Sequence, residues 1–129
     1  MTPIAEHDAE VIYSLAYAQA QRGNYDTALD FLNILNLVSV PNARYLEALG
    51  ITLKKLAAYE EARHCYVILN LLEQENLDFH LDRIEIELLM GSKEGVRESL
   101  ENIIIASGID STESASIRAR ASALIDLIR

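Results

Sequence analysis

Any reactive chemistry in this chain would have to come from three histidines, one cysteine and its carboxylates. The histidines are His7, His64 and His80, and no two have the spacing that sets metal ligands on one helix face. His64 and Cys65 are adjacent, which on a helix turns them in different directions, so neither a metal site nor a thiol–imidazole pair is expected. Glu85 and Glu87 could be paired as acid and base, but residues two apart do not face each other on a helix. The few glycines are scattered and form no phosphate cradle. The expectation is a protein that is not an enzyme and needs no cofactor or metal, with Cys65 packed as a small apolar residue.

Composition points the same way. A length of 129 residues suits one domain. Half the residues are apolar, a quarter are charged, and only five Gly and two Pro interrupt them, which favours helices. Twenty acids against eleven bases give a net charge of −9. That charge repels phosphate backbones and anionic membrane surfaces alike, so neither nucleic acid nor membrane is an expected partner. One cysteine allows no intramolecular disulfide, and a reducing compartment follows. The start, Met-Thr-Pro-Ile-Ala-Glu-His-Asp, lacks the basic and apolar regions of a signal peptide, and no window has the apolar length of a membrane span. The expected location is the cytoplasm.

The elements that carry these residues are marked by a repeat. Gly23-Asn24-Tyr25-Asp26-Thr27-Ala28 has a counterpart in Ala57-Ala58-Tyr59-Glu60-Glu61-Ala62, 34 residues on. The same step joins Asp8, Asn42, Asn76 and Asp110, all residue types that cap helix N-termini through a short side-chain oxygen. Pro41 precedes the second cap, and Gly23 and Gly91 mark turns two steps apart, with Ala57 at the middle turn. The spacing predicts helices at roughly 9–22, 25–38, 43–56, 59–73, 77–90 and 93–106, and a final helix at 111–128 whose Ile117, Ala121, Leu124 and Ile128 form one apolar stripe.

Small and large residues recur with the same step. Leu15-Ala16 matches Leu49-Gly50, and Ala28 matches Ala62 at a close helix crossing. Leu32 and Tyr66 fill the next layer. This pattern resembles the tetratricopeptide repeat, a helix-turn-helix unit of 34 residues. The implied fold is all-α: a right-handed α-solenoid of three repeats plus a C-terminal capping helix. The divisions are a lead-in over 1–8, repeats at 9–42, 43–76 and 77–110, and the cap over 111–129. The third repeat is irregular. Val96 replaces the crossing alanine, and Arg83 and Glu87 fall where buried residues belong, whereas a slip of one residue would turn Leu81, Ile84 and Leu88 inward. The sequence leaves that register open.

In such an array the first helix of each pair forms the concave wall. The 3.6-residue period directs Tyr13, Tyr17 and Ala20 to it from the first unit and Glu47, Ile51 and Lys54 from the second. Leu81, Glu85 and Leu88 follow from the third if its register is unshifted. Tyr13 and Tyr17 are stiff and amphipathic, suited to flanking a side chain of a bound polypeptide. Repeat domains that grip the C-terminal carboxylate of heat-shock chaperones need a basic cluster here. Tyr13, Tyr17, Asp78 and Asp82 occupy those places instead, so that ligand is excluded.

The stretches "AEVIYSLAYAQAQRGNYDTALDFLNIL" and "NARYLEALGITLKKLAAYEEARHCY" together resemble the class II chaperones of bacterial type III secretion, the translocator chaperones (SycD/LcrH-like). The likeness rests on Tyr13-Ser14-Leu15-Ala16-Tyr17 before Gly23-x-Tyr25-x-x-Ala28, and on Arg44-Tyr45 leading to Leu49-Gly50. It implies that the concave wall holds a segment of a hydrophobic secreted protein, a translocator or a needle-type subunit, and keeps it soluble until export. By the same resemblance Tyr13 and Tyr17 form pockets for that segment. The protein-binding set is then Tyr13, Tyr17, Ala20, Arg44, Glu47, Ile51, Lys54, Leu81 and Leu88. A homodimer, or a heterodimer with a co-chaperone, is the further association it implies. A generic adaptor that joins folded proteins stays open as the other reading.

Overall fold

Three turns fix the architecture, and they are near copies of one another. At the first, the amides of Gly23 and Asn24 donate to the carbonyls of Ala20 and Gln19 at 3.0 and 2.9 Å. At the second, Ala57 and Ala58 donate to Lys54 and Leu53 at the same distances, and at the third Gly91 and Ser92 donate to Leu88 and Glu87. All six groups lie 34 residues from their counterparts, and each turn closes the last carbonyls of a helix through one left-handed residue. That residue is Gly23 in the first turn and Ala57, with φ 59°, in the second.

The computed structural model describes residues 2–108 and 112–128. Among these the helices are α1 Glu6–Gln21, α2 Tyr25–Val38, α3 Ala43–Lys55, α4 Tyr59–Leu72, α5 Leu77–Leu89, α6 Val96–Ser107 and α7 Thr112–Leu127, with no strand. Asn42 caps α3 by accepting from the Arg44 amide at 2.9 Å, and Asn76 caps α5 by accepting from the Phe79 amide at 3.3 Å. Asp8 does not cap α1. The helix starts at Glu6, and Glu6 and Asp8 sit in its first turn, where carboxylates suit the helix dipole. The lead-in is tied down by the Ile4 amide, which donates to the Val38 carbonyl at 2.9 Å. The fourth expected cap, Asp110, lies outside the described residues.

Each layer of the core is shared by three consecutive helices, which makes the molecule an all-α solenoid. Ala9, Ala16, Leu32, Leu35 and Tyr45 join α1, α2 and α3. Leu53, Ala62, Cys65, Tyr66, Leu69, Phe79 and Ile86 join α3, α4 and α5. Leu81, Ile84, Leu100, Ile103, Ile117, Ala121 and Leu124 are among those that join α5, α6 and α7. The 34-residue step survives in these layers: Ala28, Ala62 and Val96 are all buried, as are Leu35, Leu69 and Ile103. At Gly50 α3 and α4 come close together, since a Cβ there would stand 3.0 Å from the Tyr66 ring.

The third pair departs from the first two. α6 begins at Val96 rather than near 93, after a longer turn, and it packs chiefly against α7 and only lightly against α5. Bulk explains this. Ile84 stands where Ala16 and Gly50 stand, and Val96 where Ala28 and Ala62 stand, so α5 and α6 cannot close to the same distance. α5 instead buries Phe79 and Ile86 towards α4, and Leu81 and Ile84 towards α6 and α7. The register left open by the sequence is therefore the slipped one. Leu81 is 0% exposed and Leu88 packs against the α6–α7 cluster, so these two do not belong to the concave wall. Arg83 and Glu87, partly exposed, pair with each other at 2.8 Å along α5.

Candidate protein-binding groove

α1, α3 and α5 line the hollow side. Tyr13, Tyr17 and Ala20 from α1 meet Arg44, Glu47, Ala48 and Ile51 from α3 around one open cavity of about 230 Å³. Six of the nine residues singled out from the sequence thus share a single cavity. Tyr17 is 57% exposed and Ile51 46%. Tyr13 is half-buried, because its ring packs 5.3 Å from that of Tyr45 and 6.5 Å from that of Tyr17. Ile51 also borders a second cavity, of about 360 Å³, with Lys54, Tyr59, Tyr66, Asp82 and Leu89, so the two cavities lie on either side of Ile51. Lys54 belongs to this second part, where α5 contributes Asp82 and Leu89 and sets Glu85 against Lys54.

At the α1 end the charges are paired. Arg44 forms an ion pair with Glu10 and lies 4.7 Å above the Tyr13 ring, a cation–π contact. The buried Tyr45 donates its hydroxyl to Glu10 at 2.7 Å. Hydrogen bonds from Arg44 and Tyr45 hold the Glu10 carboxyl below its usual range, and burial pushes the Tyr45 phenol up. Arg44 is thus committed to the protein's own tyrosine platform. The pairing had a sequence signal, since Glu10 and Arg44 are one 34-residue step apart and opposite charges at equivalent places meet when repeats stack.

At the other end α7 supplies a residue that the repeat pattern does not mark. Arg120 reaches Asp82 at 2.6 Å, Glu85 at 3.0 Å and Asp78 at 3.7 Å. Glu85 is shared, because Lys54 pairs with it from α3. Burial would raise the Glu85 carboxyl, but the hydrogen bonds from Lys54 and Arg120 outweigh it and the net direction is down. Asp82 goes up, since burial outweighs Arg120 there. Glu47 also goes up, through burial first and then through Asp82, Glu73 and Asp78.

No group of three or more His, Cys, Asp or Glu among the described residues is arranged to hold a metal ion. Cys65 is buried, and burial pushes its thiol up to about 11, which leaves it protonated and inert at neutral pH. No helix among the described residues is long and apolar enough to cross a membrane. The groove is an apolar, tyrosine-walled trough with ion pairs at both ends.

The tetratricopeptide repeat family matches residues 10–35. No curated protein matches the chain by sequence. Among solved structures the chain is similar to PcrH from Pseudomonas aeruginosa, with 24% identity over 98% of this chain and 96% of that one, at a TM-score of 0.81. PcrH in complex with the chaperone binding region of PopD gives 23% identity over 99% and 96%, at 0.82. The Yersinia enterocolitica type III secretion chaperone SycD, in complex with a peptide of the translocator YopD, gives 22% over 96% and 94%, at 0.80. At these identities the likeness establishes the fold: the chain is a helical-repeat array of the same shape and extent as these chaperones.

Proposed function

We propose that the protein is a non-enzymatic chaperone of type III secretion that holds a hydrophobic secreted protein, a translocator or needle-type subunit, in its groove and keeps it soluble in the bacterial cytoplasm until export. The observation that carries this reading is the open apolar cavity between Tyr13, Tyr17 and Ile51, on the hollow side of an array shaped like PcrH and SycD. PcrH has been seen with the chaperone binding region of PopD, and SycD with a peptide of the translocator YopD. An aggregation-prone apolar segment is hidden when it fills such a trough, and mass action favours the complex until the export machinery removes the client. The residues with this role are Tyr13, Tyr17, Ala20, Glu47 and Ile51, with Lys54 beyond them, while Arg44 sets the position of Tyr13.

Co-expression with secreted proteins encoded beside it tests the reading. A chaperone brings an otherwise insoluble client into the soluble fraction, whereas an adaptor binds only partners that are already soluble. Tyr17→Ala with Ile51→Ala should weaken the isolated complex by about 2 kcal/mol in calorimetry while the far-ultraviolet dichroism stays unchanged, because both side chains are exposed. Unchanged affinity would remove the groove from the binding site.

A further inference from the structure

Among the described residues, Glu47 is the one groove carboxylate that the protein's own cations leave unbalanced. Arg44 is held by Glu10 and lies over Tyr13, Lys54 is held by Glu85, and Arg120 is divided among Asp82, Glu85 and Asp78. Glu47 stands between them, in the wall of the cavity that Tyr17 and Ile51 also line, and forms no ion pair or hydrogen bond with another described residue. The charges that reach it are Asp82 and Asp78 from α5 and Glu73 from the end of α4, all negative. Partial burial and these three neighbours both disfavour its charged form.

A purely apolar segment laid in the groove would strip more water from Glu47 and return nothing to it. An acidic segment would add a like charge to a wall already rich in them. A basic side chain would supply the missing partner through a charge-assisted hydrogen bond. We propose that the groove selects a client segment in which a lysine or arginine stands beside the apolar anchor, so that the anchor enters the Tyr13–Tyr17–Ile51 cavity and the cation lies against Glu47. Such selection presupposes that the hollow is where the client binds. It adds a charge rule to an otherwise apolar specificity.

Random-peptide display on the intact protein separates the two ideas. Four baits are used: the wild type, Glu47→Gln, Glu47→Lys, and Tyr17→Ala with Ile51→Ala. Glutamine keeps the shape of a side chain that makes no internal bond, so the fold is retained. The wild-type pool should be apolar with Lys or Arg enriched beside the anchor, the Glu47→Gln pool should lose that enrichment, and the Glu47→Lys pool should favour Asp or Glu. In one selected peptide, Lys→Gln should weaken binding to the wild type about fivefold and leave binding to Glu47→Gln unchanged. If the wild type and Glu47→Gln select the same apolar peptides, Glu47 does not select and the hollow stands as the binding site. If the Tyr17→Ala, Ile51→Ala bait selects the wild-type pool, the hollow is not the binding site and both ideas fall.

Discussion

Replacing Ala57 with glycine should stabilise the protein, and the turn geometry says by how much. Ala57 is the only non-glycine among the described residues with a positive φ, at 59°, in a turn whose first copy uses Gly23 at 78°. A left-handed conformation costs an L-residue about 1–2 kcal/mol. Glycine removes that cost but adds about 0.5–1 kcal/mol of chain entropy in the unfolded state. The Ala57 methyl is exposed, so no packing is lost, and the net gain is about 0.5–1 kcal/mol. For a chain of this size that raises the urea midpoint by about 0.3–0.5 M and the Tm by about 2–4 °C. Gly23→Ala is the mirror experiment. A Cβ at Gly23 would have no neighbour within 4 Å, so its cost is backbone alone, and it should lower the midpoint by a similar amount. Urea titrations followed by dichroism measure both. A midpoint for Ala57→Gly at or below the wild type would refute the claim that the middle turn is strained by its alanine.

Two further outcomes follow from the charges and the thiol. Arg120→Ala should lower the urea midpoint at pH 7 by the equivalent of about 1 kcal/mol, since Asp82 and Glu85 lose a partner that is itself partly solvated. The Glu85 carboxyl lies below its ordinary 4.5, so its contribution is present above that value and fades as pH falls through the folded one. The deficit of Arg120→Ala should therefore shrink on acidification, and a deficit equal at pH 7 and pH 4 would contradict the assignment. Cys65, with its thiol raised to about 11 and its side chain buried, should resist iodoacetamide at pH 8 in the native protein and react on adding denaturant. Mass spectrometry of the alkylated protein reads the difference.

The 34-residue step made much of this architecture legible, because a stacked repeat forces the same side-chain sizes into the same places. Tyr25 and Tyr59 open α2 and α4, and Asn42 and Asn76 cap α3 and α5 as their residue types suggest. The step failed where a residue met a different neighbour from its equivalents. Asp8 has no helix before it, so nothing stopped α1 from starting earlier. Leu81 and Leu88 were drawn out of the wall because α7, which has no counterpart in the earlier units, packs on that side of α5. The groove was readable from the period along α1 and α3, which grouped Tyr13, Tyr17, Ala20, Glu47 and Ile51 before any coordinates. Arg120 was not, since its hydrogen-bond partners lie 35 and 38 residues away on another helix and no periodicity links them.

The tie from Arg120 to α5 also bounds how much of a chain the trough can grip. Three helices side by side, each about 10 Å across with its side chains, make a wall on the order of 30 Å wide from α1 to α5. A polypeptide in extended form advances about 3.3 Å per residue, so about nine residues cross it from the Tyr17 rim to the arginine at the far wall. A protein held there would be gripped by a short tag, with the remainder outside, free to fold, to be threaded or to meet a second protein.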